Sequence, residues 1–261
     1  PLLLAEALEC LGRLQAESTH TAAAVETLTS AVLEAERISA DRLAAQAWLS
    51  MLYALTMEHD LPTARARVLA AQAAVERTGD DELRAWWLNN VGILEGEAKD
   101  HERADERLRQ ALELKSRIYG AGHVDVGITW INLGSLRLQA NDLTGAAEAY
   151  DHAQVIFEAT VSAAHPLSAY VESGRCRVDW QLGNHVAAIE HCGRALESFE
   201  ASSAPAINRY RVLCWMADAL WGARRHEQAR RTAKAARTLG ESIGPTKVEA
   251  MQQWLDAHPL P

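Results

Sequence analysis

The feature that most constrains this chain is a ladder of small residues that recurs along its whole length. Two alanine columns, seven residues apart, occur six times, and successive first alanines are 40, 40, 42, 42 and 41 residues apart. A repeat at this spacing indicates an array of similar units. In chain order the ladder consists of Gly12, Ala24 and Ala31; Leu52, Ala64 and Ala71; Gly92, Ala104 and Ala111; Gly134, Ala146 and Ala153; Cys176, Ala188 and Ala195; and Ala217, Ala229 and Ala236.

The ladder predicts pairs of closely packed helices. Small side chains at fixed positions let two antiparallel helices approach, and larger apolar neighbours fill the groove between them. Short polar turns such as "AKD", "AND" and "LGN" fall between the columns, as helix-to-helix turns should. The sequence therefore predicts an all-α chain in one domain, with six antiparallel hairpins and a capping helix. Their bounds are 1–39, 40–79, 80–121, 122–163, 164–203, 204–244 and, for the cap, 246–257.

The repeat resembles the tetratricopeptide repeat (TPR) family. "LNNVG", "KDHERA" and "RQALELKSRIYGAGHVDV", within 88–126, are similar to the longer repeats of the kinesin-light-chain subtype. The resemblance implies a right-handed superhelix, an α-solenoid. The fifth repeat departs from the family pattern because Glu172 and Arg175 stand at normally apolar positions. We therefore expect its first helix to be rotated or more exposed.

A narrower resemblance concerns the end of the chain. "MADALWGARRHEQARRTAKAA" and the terminal "VEAMQQWLDAHPLP" look like the C-terminal TPR regions of large bacterial serine/threonine protein kinases of the myxobacterial kind. The resemblance implies that a kinase domain is fused ahead of this segment. The chain itself contains no glycine-rich phosphate loop and no His-Arg-Asp or Asp-Phe-Gly motif. Kinase activity is therefore not expected here.

The charge and the apolar runs of the sequence limit the kinds of partner. The net charge is −9, which disfavours nucleic acid as the main partner. The charge is uneven, since the residues from Arg209 onward hold 9 Lys+Arg against 5 Asp+Glu. Nucleic-acid binding through this basic end remains a third alternative. The stripe of Arg230, Lys234 and Arg237 within it suits either a solvated face or docking on an acidic surface. No apolar run is long enough to span a membrane, so no membrane partner is expected.

The four cysteines, which form no CxxC pair, predict buried thiols in a reducing compartment and hence a cytoplasmic protein. Metal and catalytic chemistry have little support in the sequence. His185 and Cys192, seven residues apart on one predicted helix, are the best ligand pair, but no second cluster has ligand spacing. We predict no metal, no cofactor and no catalytic residue, so any enzyme activity would lie in a fused domain.

Binding has more support. In TPR proteins the first helix of each hairpin lines the concave groove, and the resemblance carries this role to positions around the first ladder column. Asparagine amides there suit a peptide backbone, an arginine suits a carboxylate or phosphate, and tryptophans supply flat apolar contact. Each type also has a structural reading, in which the Asn bonds a neighbouring repeat and the Trp packs in the core. The candidates are Asn89, Asn90, Ile131, Asn132, Ser135, Arg177, Trp180, Trp215 and Trp221.

The sequence therefore predicts a TPR scaffold that binds a protein or peptide segment in its groove. Replacement of Asn90 and Asn132 by Ala is expected to leave the fold intact and to weaken partner capture. The alternative from another class is a structural spacer or oligomerisation module with no peptide ligand.

Overall fold

The computed structural model describes residues 1–17, 21–161, 165–202 and 204–260. Within these ranges the chain is all-helical, and it forms two compact units, Pro1–Ala121 and Gly122–Pro261. No helix in the described ranges is long and apolar enough to cross a membrane. Parts of two predicted turns, residues 162–164 and residue 203, lie outside the described residues. The single-domain organisation stays a prediction from the sequence.

The first unit contains three antiparallel hairpins. Consecutive helices pair within each hairpin, and α3 and α5 pack against the hairpin that precedes them. Its core is built mainly from alanine, leucine and valine, which suits close helix packing. The helices are α1 (Leu2–Glu17), α2 (Thr21–Arg37), α3 (Asp41–Met57), α4 (Leu61–Thr78), α5 (Asp81–Glu97) and α6 (His101–Tyr119).

The second unit contains three further hairpins and a terminal helix. Here α9 and α11 pack against the preceding hairpin, and α13 packs against α12. The predicted capping helix is thus present, beginning one residue earlier than expected. The helices are α7 (Val124–Gln139), α8 (Leu143–Thr160), α9 (Pro166–Leu182), α10 (His185–Ala201), α11 (Ala206–Gly222), α12 (His226–Gly240) and α13 (Pro245–Ala257).

The alanine ladder lies at the contacts between helices, as predicted. All twelve alanines of the two columns are fully buried. The first residue of each ladder set, such as Gly12 or Gly92, faces the residue sixteen positions later in the chain. A Cβ on Gly12 would lie 2.5 Å from Leu28 Cγ, and one on Gly92 would lie 2.9 Å from Leu108 Cγ. Glycine is needed at such positions because the facing side chain occupies the space of a Cβ.

Turns and caps follow a common scheme. Each described turn between the helices of a pair, from the second hairpin onward, contains a residue with left-handed backbone. Four of these residues are not glycine: His59, Lys99, Asn141 and Arg224. The second helices then begin with side-chain caps at several sites, as when Asp142 Oδ1 accepts a hydrogen bond from the Gly145 backbone N–H at 2.9 Å. Two histidines cap first helices: the Nδ1 atoms of His123 and His165 each accept a backbone N–H at 3.2 Å.

The fifth hairpin keeps the common register, which contradicts the expected rotation of α9. Cys176 faces Cys192, again sixteen residues later, and the two form a disulfide bond. The prediction of four unpaired buried thiols is therefore wrong, and of the two free cysteines Cys10 is exposed. The polar misfit Arg175 is accommodated by an ion pair with Asp151 of α8. Burial lowers the pKa of Arg175, with the charge of Asp179 opposing that shift.

Candidate functional site

Seven of the predicted binding residues lie on the first helices of the second unit's hairpins, and six of them, all except Trp221, form one candidate surface. All six are partly exposed. Residues three apart on a helix share a face, so those within one helix lie side by side. We call the set the α7–α9–α11 surface; it consists of Ile131, Asn132 and Ser135 on α7, Arg177 and Trp180 on α9, and Trp215 on α11.

Arg177 is the cation of this surface. Its guanidinium carbon lies 5.8 Å from the centroid of the Trp215 ring, a cation–π contact that joins α9 to α11. Among the described residues Arg177 makes no hydrogen bond, so its N–H groups remain available. A planar guanidinium held against a ring can donate two parallel hydrogen bonds to a carboxylate or phosphate.

A buried tyrosine joins α7 to α9 beneath the surface. The Tyr150 hydroxyl lies 3.1 Å from Ser135 Oγ, and the Tyr150 ring fills the space that a Cβ would need on Gly134 and on Gly174. Burial raises the pKa of Tyr150 to about 12, while the Ser135 hydrogen bond and the charge of Arg177 act to lower it. Tyr150 therefore stays protonated and fixes the position of Ser135.

The two predicted asparagines of the first unit have a structural role. Asn89 and Asn90 are 7 % and 3 % exposed. Asn90 Nδ2 donates a hydrogen bond at 3.0 Å to the Leu49 carbonyl of α3, and Asn89 Nδ2 lies 3.4 Å from Asn90 Oδ1. The pair thus links α5 to the preceding hairpin. The Asn90→Ala change expected to be silent for folding would remove a buried hydrogen bond.

Trp221 belongs to the C-terminal cap. Its ring lies 4.2 Å from that of His226 and 5.9 Å from that of Trp254, between centroids. His258 stacks on Trp254 at 4.1 Å, and Trp254 Nε1 donates to Asp218 Oδ1 at 2.6 Å. Burial raises the pKa of Asp218, with the Trp254 hydrogen bond opposing the shift. This cluster holds α13 in place and gives Trp221 packing partners within the fold.

The basic stripe of α12 is not one continuous exposed surface. Arg230 turns toward α13, where its guanidinium donates to the carbonyls of Leu255, at 2.6 Å, and His258. Lys234 is exposed and Arg237 is partly exposed. The basic end therefore loses Arg230, the first residue of the stripe, as an unpaired surface cation.

The fifth hairpin carries an ionic cluster that the sequence did not predict. The two ring nitrogens of His191 lie 2.7 Å from Glu172 Oε2 and 3.5 Å from Asp179 Oδ2. Arg194 Nε donates to Glu172 at 3.0 Å. Burial acts to raise the pKa of Glu172, but the hydrogen bond from His191 and the charges of Arg194 and His191 outweigh it and lower the pKa. No described group of His, Cys, Asp and Glu is arranged to hold a metal.

Cavities occupy the same register position in both units. One of about 410 Å³ lies between α4, α5 and α6, and one of about 490 Å³ lies between α8, α9 and α10. Each has a Gln that donates to a Glu one turn later, Gln72 to Glu76 at 2.7 Å and Gln154 to Glu158 at 2.6 Å. The Glu172 carboxylate in the second cavity is already paired. The cavities show that the units repeat one design, and the α7–α9–α11 surface remains the better candidate site.

The sequence contained a signal for two contacts that were missed, Gly134 with Tyr150 and Cys176 with Cys192. In each pair the second residue stands sixteen positions after the first residue of its ladder set, so the pairing follows from the repeat spacing. The ionic cluster of Glu172 and His191 had no comparable signal, because it depends on side-chain direction.

The fold has relatives among solved structures. BtubC (BKLC) from P. vanneervenii is similar with a TM-score of 0.71 and 14% identity, over 84% of this chain and 90% of that one. A STAND signal-transduction ATPase with a tetratricopeptide repeat sensor, from Pyrococcus horikoshii, gives 0.72 and 14%, over 92% of this chain but only 37% of that one. A Rap protein complexed with competence and sporulation factor gives 0.67 and 15%, over 92% and 64%.

The similar structures identify the fold of this chain. No protein-family model matches the sequence, and no curated protein matches it. At identities of 14–15% the structural likeness shows a TPR-like α-solenoid fold. Because one fold hosts many functions, the residues of the α7–α9–α11 surface are the basis for a functional assignment.

Proposed function

We propose that this TPR-fold chain is a binding module that holds a protein or peptide segment on its α7–α9–α11 surface. The observation that carries the proposal is Arg177, stacked on Trp215 with its N–H groups unused among the described residues. A fixed, partly exposed cation beside aromatic rings forms the kind of contact that dominates many interfaces.

The surface favours a segment that combines an anionic group with an apolar one. Arg177 would hold a carboxylate or phosphate, and Trp180, one turn away and partly exposed, would cover an adjacent apolar side chain. Asn132 and Ser135 supply polar atoms on α7 for the segment's backbone. Because Tyr150 fixes Ser135 and Trp215 supports Arg177, little side-chain freedom is lost on binding.

The structural neighbours support a binding role in general terms. One neighbour is a Rap protein in complex with competence and sporulation factor, and another has a TPR segment described as a sensor. Rigid hairpin arrays of this kind present surfaces whose exposed residues can vary without disturbing the core. The proposal applies the same use to this chain.

The test is selection of peptides from a library of random short sequences displayed on phage, followed by calorimetry with the enriched peptides. We expect them to carry an acidic residue next to an apolar one. We expect Arg177→Ala to weaken binding by roughly tenfold or more, since a hydrogen bond to a charged group contributes about 1.5–3 kcal/mol.

Arg109→Ala is the matched control, because Arg109 is an exposed arginine on α6 that pairs with Asp105 on its own helix. Equal affinity of the wild type and Arg177→Ala for the enriched peptides would overturn the assignment of the surface. Failure to enrich any peptide would favour the alternative, a structural spacer or oligomerisation module.

We further propose that the module works within a larger bacterial signalling protein of the serine/threonine kinase kind. The support is the resemblance of the C-terminal residues, Met216–Ala236 and Val248–Pro261, to such proteins. We propose a cytoplasmic location on that resemblance alone. The cysteines no longer support it, because the Cys176–Cys192 disulfide is typical of oxidising compartments. The coding sequence upstream of Pro1 tests both points; an export signal in place of a kinase there would contradict them.

A further inference from the structure

The first helix of the chain carries an exposed apolar face. Leu4, Leu11 and Leu14 of α1 are 51 %, 49 % and 52 % exposed, and Leu3 is 80 % exposed. Single exposed leucines are common on protein surfaces, but several on one helix face form a patch, which marks an interaction site.

The repeat register shows what kind of contact this face makes elsewhere in the first unit. Forty residues on, Leu11 corresponds to Met51 of α3 and Leu14 to Ala54, and both of these are buried at 1 % exposure or less. They lie in the apolar cluster that contains Leu28 of α2, in the preceding hairpin. The positions of Leu11 and Leu14 are thus hairpin-stacking positions, and the stacking interface continues onto α1.

The α1 face is also complementary to itself. Leu4, Ala7, Leu11 and Leu14 follow the 3-4-3 spacing of the a and d positions of two heptads, which is the pattern of helices that pair along a seam. Along residues 3–15 the positions beside the seam are uncharged: Leu3 and Cys10 on one side, Leu8 and Gln15 on the other. The charged Glu17 follows on the Cys10 side, beyond Leu14.

The charged residues of α1 that the structure describes lie away from the seam. Glu9 accepts a hydrogen bond from Ser50 of α3 and pairs with Arg13, on the side that faces the unit's interior. A second copy can therefore approach the seam without like-charge repulsion, although the chain as a whole has a net charge of −9.

We propose that the α1 face is a self-association site, at which two copies of this chain pair α1 against α1 in antiparallel orientation. A two-fold axis uses the same patch on both copies, which the single seam satisfies. Leu4 of each copy then meets Leu14 of the other, with the axis near Glu9. This site is independent of the α7–α9–α11 surface.

Cys10 provides a built-in reporter of the pairing. It is exposed and adjoins the seam one residue from the proposed axis, so the two Cys10 residues of a dimer lie close together. With a rise of about 1.5 Å per residue, the antiparallel register offsets them by about 3 Å along the helices. Cys214 does not compete for thiol reagents, because burial raises the pKa of its thiol to about 11.

The experiment measures sedimentation of the whole chain over a range of micromolar concentrations. We expect a monomer–dimer equilibrium that Leu11→Glu weakens by at least about a hundredfold, because each dimer would bury two unpaired carboxylates. Leu69→Glu is the control, since Leu69 of α4 is 77 % exposed and lies away from the seam. Circular dichroism checks that Leu11→Glu retains its helices.

A short bis-maleimide tests the orientation. We expect it to cross-link the wild type as a dimer through Cys10, and Cys10→Ser to abolish the product. A monomer at every concentration would overturn the proposal, and so would a dimer that Leu11→Glu leaves intact. A dimer through this face with no Cys10 cross-link would overturn the antiparallel arrangement. If a chain extended upstream of Pro1 is monomeric and protects α1 amides from exchange, an added hairpin of the same repeat is the occupant instead, which also overturns it.

Discussion

At the scale of single residues, glycines in similar helices have different roles. Gly174 of α9 lies against the Tyr150 ring, which occupies the place of a Cβ. Gly193 of α10 has no described atom within 4 Å of a Cβ built on it. The first glycine is required by packing between helices, and the second only lowers helix propensity.

The two glycines give a matched pair of substitutions. We expect Gly174→Ala to lower the free energy of unfolding by about 1–3 kcal/mol, because the added methyl overpacks the core against Tyr150. Gly193→Ala should raise it by about 1 kcal/mol through helix propensity. Urea unfolding followed by circular dichroism measures both. Equal effects of the two changes would contradict the assigned contact.

Glu172 makes stability depend on pH. Its pKa is lowered from 4.5 in the folded chain, so its contribution is present above that value and disappears as pH falls through the folded pKa. We expect Glu172→Gln to cost about 1.5–3 kcal/mol at pH 7 through loss of charged hydrogen bonds to His191 and Arg194. The difference between variant and wild type should shrink as pH falls below 4.5 and through the lowered folded pKa. Urea midpoints across this range measure it, and a constant difference would contradict it.

The burial of an individual residue was predictable from the sequence only where the small size of its side chain determined it. The alanine columns are fully buried because no larger side chain fits where the helices cross. Asn90 and Trp221 could not be placed by the same reasoning. An amide can bond a ligand or a neighbouring carbonyl equally well, and an indole ring can cover a ligand or pack against neighbouring rings. Arg177 is partly exposed, as a binding residue must be, but its contact with the Trp215 ring depends on how α9 and α11 pack.

At the scale of elements, α13 is held by its neighbours more than by its own sequence. Met251 and Leu255 enter the apolar cluster of α11 and α12, and Arg230 donates to the last carbonyls of the helix. These carbonyls have no partner within the helix and need a donor. A cation near a helix C-terminus is also favourable electrostatically.

Removal of this donor should loosen α13 selectively. We expect Arg230→Ala to accelerate amide hydrogen exchange in α13 by roughly 10- to 100-fold, as the loss of about 1.5–3 kcal/mol in charged hydrogen bonds implies. Lys234→Ala, one turn further on the same helix, is the control because Lys234 is exposed. Exchange by mass spectrometry reports both, and unchanged α13 exchange in Arg230→Ala would count against the assigned role.

The elements themselves were largely predictable. The hairpins, their turns and the capping helix follow from periodicity and turn residues, because each element depends on neighbours close in sequence. The orientation of α9 was not, since Glu172 and Arg175 read as misfits until their partners His191 and Asp151 were seen. Polar residues at apolar positions are resolved only by three-dimensional pairing.

At the scale of the whole molecule, the two units differ in how they are reinforced. Both repeat the same hairpin, but the second also has the Cys176–Cys192 bond between α9 and α10. In the chain-entropy account, closing a loop of about 16 residues contributes about 3 kcal/mol. The second unit should therefore respond to reducing conditions and the first should not.

Reduction with a phosphine tests this difference on the intact chain. We expect amide exchange to accelerate in α9 and α10 by roughly a hundredfold, as about 3 kcal/mol implies. The helices α1 to α6 serve as the internal control, because Cys10 on α1 is a free thiol. Equal acceleration in both units, or none in either, would contradict the expectation.

The small sequence separation of the contacts affects when each part of the chain can fold. Bonds between hairpins connect residues only one repeat apart, as in Ser50 with Glu9 and Arg77 with Glu36, each 41 residues apart. Contacts that are local in sequence favour fast folding, and synthesis proceeds from the N-terminus. Within each unit, a hairpin can therefore dock on its predecessor as it leaves the ribosome, so a nascent chain need never wait for its own end before it begins to fold.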